Sequence, residues 1–223
     1  MTFEAEVLAD SPACYWQHRV TGGSNIEADA SGNGVNLELS LSGWTPDQPS
    51  LSGDPGDFAV QFLGTDGWSK ATTPAVVSNA TTVTLEWAGT VDAIVDSAVL
   101  IWAAYDQSGL GSQFSGAAIY LENAGDLSAY VCDVNGDVQK VTSAINIVDG
   151  QPHHLAVTAD GTTIRLYVDG AEDVTAPCNG LKMTGGQTDS IFVGSGALIW
   201  NPFFSYSYFQ NGKADETAVY ASA

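Results

Sequence analysis

The stretch DGQPHHLAVTADGTTIRLYVDG, from Asp149 to Gly170, decides the fold. Leu155, Val157 and Ala159 take alternate positions in its first half, and Ile164, Leu166 and Val168 do the same in its second. A period of two is the pattern of a strand that buries one face, because successive side chains point to opposite sides. Asp160 and Gly161 make the turn between the halves. The stretch is therefore predicted to be a β-hairpin with these apolar side chains toward a core. His154, Thr158, Arg165, Tyr167 and Asp169 are left on the other side.

Runs of the same kind recur along the chain: FAVQFLG, TVTLEWAG, SAVLIWAAYD, AAIYLENAG, LSAYVCDV, VQKVTSAINI, SIFVGSG and ETAVYAS, separated by clusters of Gly, Asn, Asp, Ser and Pro. Such spacing argues for a sandwich or barrel rather than alternating strands and helices, and no amphipathic helix stands out. Asn135-Gly136 is expected to supply the positive φ values of a tight hairpin, with Asn123 to Gly125 acting similarly before it. WTPDQPSLSGDPGD (44–57) reads as a surface loop. GALIWNPFFSYSYFQNG (196–212) reads as a second loop, with Tyr208 and Phe209 entering the strand before Asn211-Gly212. At 223 residues with 44% hydrophobic content, the expectation is one all-β domain, residues 1–223, with a substantial core.

The formal net charge is −20, with 26 acidic residues against six basic ones. Such a field repels phosphate backbones and anionic membranes, which argues against nucleic acid as a partner. It also offers carboxylates to hard cations such as calcium. Cys14, Cys132 and Cys178 are odd in number and irregular in spacing, so they form neither a disulfide framework nor a zinc pattern. The N-terminus has no basic-then-apolar secretory signal, and no run reaches the length of a membrane span. With Met1 as the natural start, the product is expected in the cytoplasm that makes it.

The Asp149–Gly170 hairpin, with its paired histidines and its closing YVDG, resembles the most characteristic stretch of laminin G-like, concanavalin A-like jelly-roll domains. LADSPACYWQH, ADASGNGVNLEL, FAVQFLGTDGW and NGKADETAVYASA resemble further pieces of that family in the same order, so the resemblance spans nearly the whole chain. Pro152 departs from it, standing where the family usually has tryptophan. The resemblance implies a single-domain antiparallel β-sandwich, with its curved outer face and end loops available to ligands. The family is functionally broad, and fold does not choose among its roles. A Met start without a signal and an acidic, lysine-poor surface most resemble a tailed-phage virion protein of the minor-tail or capsid-decoration kind. Its partners would be other virion subunits or a host cell-surface glycan, and homo-oligomerisation is compatible with such a role. The virion surface is then its location. The alternative is a secreted bacterial carbohydrate-binding module, extracellular and calcium-dependent.

The family also implies a structural calcium ion, with Asp29, Asn33 and Asp215 as candidate ligands. The competing reading is that Asp29 and Asn33 hydrogen-bond their own turn. DVNGD (133–137) starts like a calcium loop but lacks the Gly and Glu of an EF-hand, having Val138 and Ala144 there, so a hairpin turn explains it better. His153 and His154 are adjacent and point to opposite sides of a strand, and His18 is alone, so each reads as a hydrogen-bonded strand residue. No acid stands two residues from Glu86 or Glu122, no E-x-D-x-E pattern occurs, and no G-x-S-x-G elbow is present. These gaps argue against catalysis. The aromatic group Trp200, Phe203, Phe204 and Tyr206 remains open between a subunit contact, a cover for the core and a glycan platform. Trp44 and Trp68 are weaker candidates for the same roles.

Overall fold

The computed structural model describes residues 2–20, 23–53, 56–94, 97–105, 115–122, 125–183, 190–200, 203–207 and 210–223, with side chains for all of these but 105, 196–200 and 203–207. Among the described residues the chain folds into two stacked antiparallel sheets of eight strands each and a separate two-stranded hairpin. In the first sheet the order is Ala171–Pro177, Thr163–Val168, His153–Ala159, Val83–Gly89, Asn211–Tyr220, Phe58–Leu63 and Trp44–Pro49. Cys14–Trp16 pairs alongside the far half of Asn211–Tyr220. The second sheet runs Val138–Thr142, Leu127–Cys132, Ala117–Leu121, Ala98–Tyr105, Ser190–Val193, Ser69–Thr72, Leu37–Leu39 and Ile26–Glu27.

The deciding stretch behaves as its alternation predicts. Ala159 pairs with Ile164 and Leu155 with Val168, Gly161 adopts a φ of 84° at the turn, and the six apolar side chains are buried. They meet Leu85 and Trp87 from the same sheet and Leu100, Ile119, Leu127 and Ile191 from the other in one contiguous apolar cluster. Burying a Leu or Ile side chain contributes about 1.5–3 kcal/mol, which is why the inward face fixes the register.

Several expectations are corrected. Trp44–Pro49, expected within a loop, is an edge strand paired with Phe58–Leu63. Proline is tolerated there because an edge strand has one side free of ladder bonds. Gly196–Trp200 and Phe203–Ser207, also expected as loop, pair as a hairpin. Phe3–Ala9 is a helix whose cap is the Thr2 side chain, accepting from the Ala5 N–H, with Glu4 and Glu6 in the first turn. At seven residues it is too short to show a helical period. At the Asp133–Asp137 turn only Gly136 carries the positive φ, while the Asp133 carboxylate accepts from the Asn135 and Asp137 N–H groups. Cys132 pairs with Val138 across it, so DVNGD is a hairpin turn. Asn123, Tyr208 and Phe209 lie outside the described residues.

Candidate functional site

The outer face of the second sheet carries a row of large side chains. Alternation sends Leu127, Ala129 and Val131 into the core and leaves Ser128 and Tyr130 on the other side. Strand register then aligns Lys140, Tyr130, Ala118, Trp102, Phe192, Lys70 and Glu38 across seven strands. Lys140 Nζ lies 5.7 Å from the Tyr130 ring centroid and Lys70 Nζ lies 5.9 Å from that of Phe192, contacts worth about 0.5–1 kcal/mol each at exposed sites. Tyr120 meets Tyr130 edge to face at 5.5 Å. Glu122 accepts from Lys140, Tyr130 and Ser128, and Ser128 bonds Thr142 at 3.1 Å. Half-buried rings thus flank the small Ala118, with hydroxyl, carboxylate and ammonium groups at one end.

Gly196–Trp200, the first strand of the aromatic-rich hairpin, approaches the Ala98–Tyr105 strand that carries Trp102. Trp200 pairs with Phe203, Ile199 with Phe204 and Ala197 with Tyr206. The register thus puts positions 200 and 203 on one face of the hairpin and 204 and 206 on the other. The chain enters and leaves at a pinch, where Gln210 N–H donates to the Gly194 carbonyl (2.8 Å) and Gly194 N–H to that of Leu100 (3.1 Å). Trp44 is half-buried against the core, its Nε1 donating to the Ser40 carbonyl, and Trp68 is half-buried nearby.

The three calcium candidates have separate employments. Asp29 accepts from the N–H groups of Tyr15 (3.0 Å), Ser31 (2.9 Å) and Val35 (3.0 Å). Asn33 donates from Nδ2 to the carbonyls of Pro12 (3.1 Å) and Ala13 (3.2 Å). These two come together in one loop and pin it to the opening strand. Asp215 shares no partner with them, its Oδ2 accepting from Leu51 N (2.7 Å), Ser52 N (2.9 Å) and Ser50 Oγ (3.1 Å). A cation at Asp29 would have to displace backbone amides, so this donor set does not fit a calcium ion as it stands. Among the described residues no group of three or more His, Cys, Asp or Glu side chains is placed to hold a metal.

A cleft of about 380 Å³ opens on the outer face of the first sheet between Phe3, Pro152, His154, Asp169, Asp215 and Glu216. A β-bulge between Ala214 and Glu216 makes it, since an extra residue lets successive side chains share a face. Burial pushes the Glu216 carboxyl up to about 9 and that of Asp215 up to about 6. The family resemblance implies Asp215, on the closing strand, as a calcium ligand, and in the fold Asp215 lines this cleft beside Glu216. Only the bulge, which no local motif announces, reveals them as neighbours in a cleft. His153 bonds Asp169 (2.9 Å) and Asp149 (3.3 Å). His18 is buried, 2.9 Å from the Thr217 hydroxyl; desolvation lowers it to about 3 and raises Glu27, 3.5 Å away, to about 8. At neutral pH that contact joins two neutral groups rather than an ion pair. Glu86 accepts from the Tyr220 hydroxyl at 3.0 Å.

The laminin G family profile described as the Concanavalin A-like lectin/glucanases superfamily matches residues 63–223. No curated protein matches the chain in sequence. Among solved structures, the binding domain of Paraclostridial Mosquitocidal Protein 1 superposes with a TM-score of 0.66 at 14% identity, over 97% of this chain and 50% of that one. The binding domain of botulinum neurotoxin DC, in complex with rat synaptotagmin II, gives 0.65 at 15% identity, over 96% and 49%. A botulinum neurotoxin type C structure, whose cell entry is described as dependent upon interaction with two ganglioside molecules, gives 0.62 at 17%, over 98% and 49%. The chain spans about half the length of these structures, and at such identities the likeness is one of fold.

Proposed function

The chain belongs to the concanavalin A-like lectin/glucanases superfamily, and from that premise we propose that it is a non-catalytic binding domain holding a carbohydrate receptor on the outer face of its second sheet. The observation that carries this reading is the row in which Tyr130 and Trp102 flank Ala118. The two rings are half-buried on either side of the buried Ala118, and half-buried aromatic rings offer faces to which a sugar ring can present its C–H side. Glu122, Lys140, Ser128 and Thr142 beside it supply the donors and acceptors that hydroxyl groups need. The hairpin bearing Trp200, Phe203, Phe204 and Tyr206 approaches the same strand through Gly196–Trp200, which supports assigning it to the same binding surface. The neighbouring structures are binding domains, which supports a binding role, though what they bind belongs to chains about twice this length.

Within this reading the receptor is a host cell-surface glycan and the chain a surface protein of a tailed-phage virion, of the minor-tail or capsid-decoration kind. The charge of −20 and the scarcity of basic residues support a surface kept soluble and kept off nucleic acid. A secreted carbohydrate-binding module would use the same face in another location. Retention of the purified chain on a panel of bacterial envelope polysaccharides tests the proposal. Saturable retention that weakens about tenfold or more in Trp102→Ala or Tyr130→Ala is expected, as for a central aromatic contact. Retention unchanged in both variants, or release of new reducing ends from the polysaccharide, would overturn it.

A further inference from the structure

The cleft on the first sheet has a chemistry that the glycan face does not use. Glu216 is 3% exposed and Asp215 1% exposed, yet both Glu216 oxygens, Asp215 Oδ1 and His154 Nε2 are buried without a hydrogen-bond partner. Buried polar atoms are nearly always paired, so several on the walls of one cleft mark a place built for donors from outside. Among the described residues that line it there is no lysine or arginine. Arg19, the nearby cation, is committed to Asp57 (2.5 Å) and Glu4 (3.6 Å). The Tyr15 hydroxyl lies beside Glu216 and favours its charged form, while both carboxyl oxygens stay short of a donor in full hydrogen-bond geometry.

We propose that this cleft binds a guanidinium group, the head of an arginine side chain on a partner protein, through Glu216 and Asp215. Two free oxygens on one carboxylate match the parallel N–H pair of a guanidinium, which an ammonium cannot reproduce. A further N–H of the fork is available to Asp215 Oδ1. Phe3, set edge-on to His154 at 5.9 Å between centroids, offers a ring beside the bound cation. The net charge of −20 steers cations toward the molecule.

Binding carries a proton signature. Burial, opposed first by the Tyr15 hydroxyl and then by Arg19, and supported by Asp57 and Asp215, raises the Glu216 carboxyl to about 9, so it is protonated at neutral pH. Tyr15 faces it from the opening strand, and His154 and Glu86 line the narrow gap beside it. A guanidinium requires the carboxylate, so the Glu216 proton leaves to solvent as the cation enters. Affinity should therefore rise with pH between about 6 and 8, approaching about tenfold per unit. The guanidinium itself stays charged throughout.

Calorimetric titration of the whole chain with N-acetyl-arginine methylamide, against the neutral citrulline analogue, tests the site. Expected are saturable binding of the arginine probe, a heat that changes with the buffer's ionisation enthalpy, and a loss of about tenfold or more in Glu216→Gln. Equal binding of both probes, or no saturation with arginine up to millimolar concentration, would overturn the proposal. Should Glu216→Gln fail to fold, the Glu216 side-chain carbonyl shift in the wild-type protein replaces it. Movement to the ionised value as probe is added supports the site, and a constant shift refutes it. The cleft and the glycan face lie on opposite sheets, so the two proposals fail independently.

Discussion

Glu216 and Glu27 are buried acids whose charged forms have lost their water, and the consequence is a pH dependence of stability. An ordinary carboxyl titrates near about 4.3 in the unfolded chain, whereas in the fold Glu216 is raised to about 9 and Glu27 to about 8. Between those limits the folded state holds protons that the unfolded state has released, so stability falls as pH rises. His18, lowered to about 3, works the other way, adding stability as pH rises toward about 6.5. Above that value only the acids act. Thermal unfolding should therefore show a loss on the order of 1–3 kcal/mol between about pH 6.5 and 8.5, with a shallower slope in Glu216→Gln. A flat profile, or an unchanged slope in the variant, would contradict the protonated state. Asp29 makes a second case. Its carboxylate holds three backbone N–H groups, so Asp29→Ala should cost about 2–3 kcal/mol by leaving buried donors unpaired. That cost should be the same in calcium and in chelator, and a wild-type midpoint raised by calcium would restore the cation to this loop.

Gly194 shows what the elements demand of single positions. It has a φ of +74°, and a Cβ there would lie 2.6 Å from the ring of Phe62, which is fully buried. Gly32 has a φ of +83° with nothing within 4 Å of a Cβ. Gly194→Ala should cost about 2–4 kcal/mol, for strain and overpacking together, and Gly32→Ala about 1 kcal/mol for strain alone. Urea midpoints distinguish them, and equal losses would show that packing at the mouth of the hairpin is not the constraint. Legibility in the sequence follows the same physics. Strands with one buried face, such as His153–Ala159 and Leu127–Cys132, write a period of two into the residues and were readable. Trp44–Pro49 was not, because an edge strand with both prolines and a bulge loses the pattern. Phe3–Ala9 packs Phe3 and Val7 against Tyr15, Ala218 and Tyr220, but a single i, i+4 pair in seven residues is too little to establish a period.

The whole molecule presents two chemically different outer faces around one core. On the second sheet the aromatic residues were each visible as members of strand runs, but their alignment into a row depends on register across distant strands, which a single sequence does not record. On the first sheet Asp215 and Glu216 were visible as neighbours, yet their role depends on a bulge and on the Leu51-Ser52 backbone that meets them. The aromatic residues at 200–206 were recognised as unusual without their pairing, since Gly, Asn and Pro around them obscure a strand signal. The account's central claim is that a glycan binds the second sheet. Backbone amide shifts of the labelled protein, followed as a retained polysaccharide fragment is added, test it most directly. Perturbations concentrated at residues 98–105, 117–121 and 127–132 are predicted. Perturbations confined to the first sheet around Asp169, Asp215 and Glu216 would contradict it.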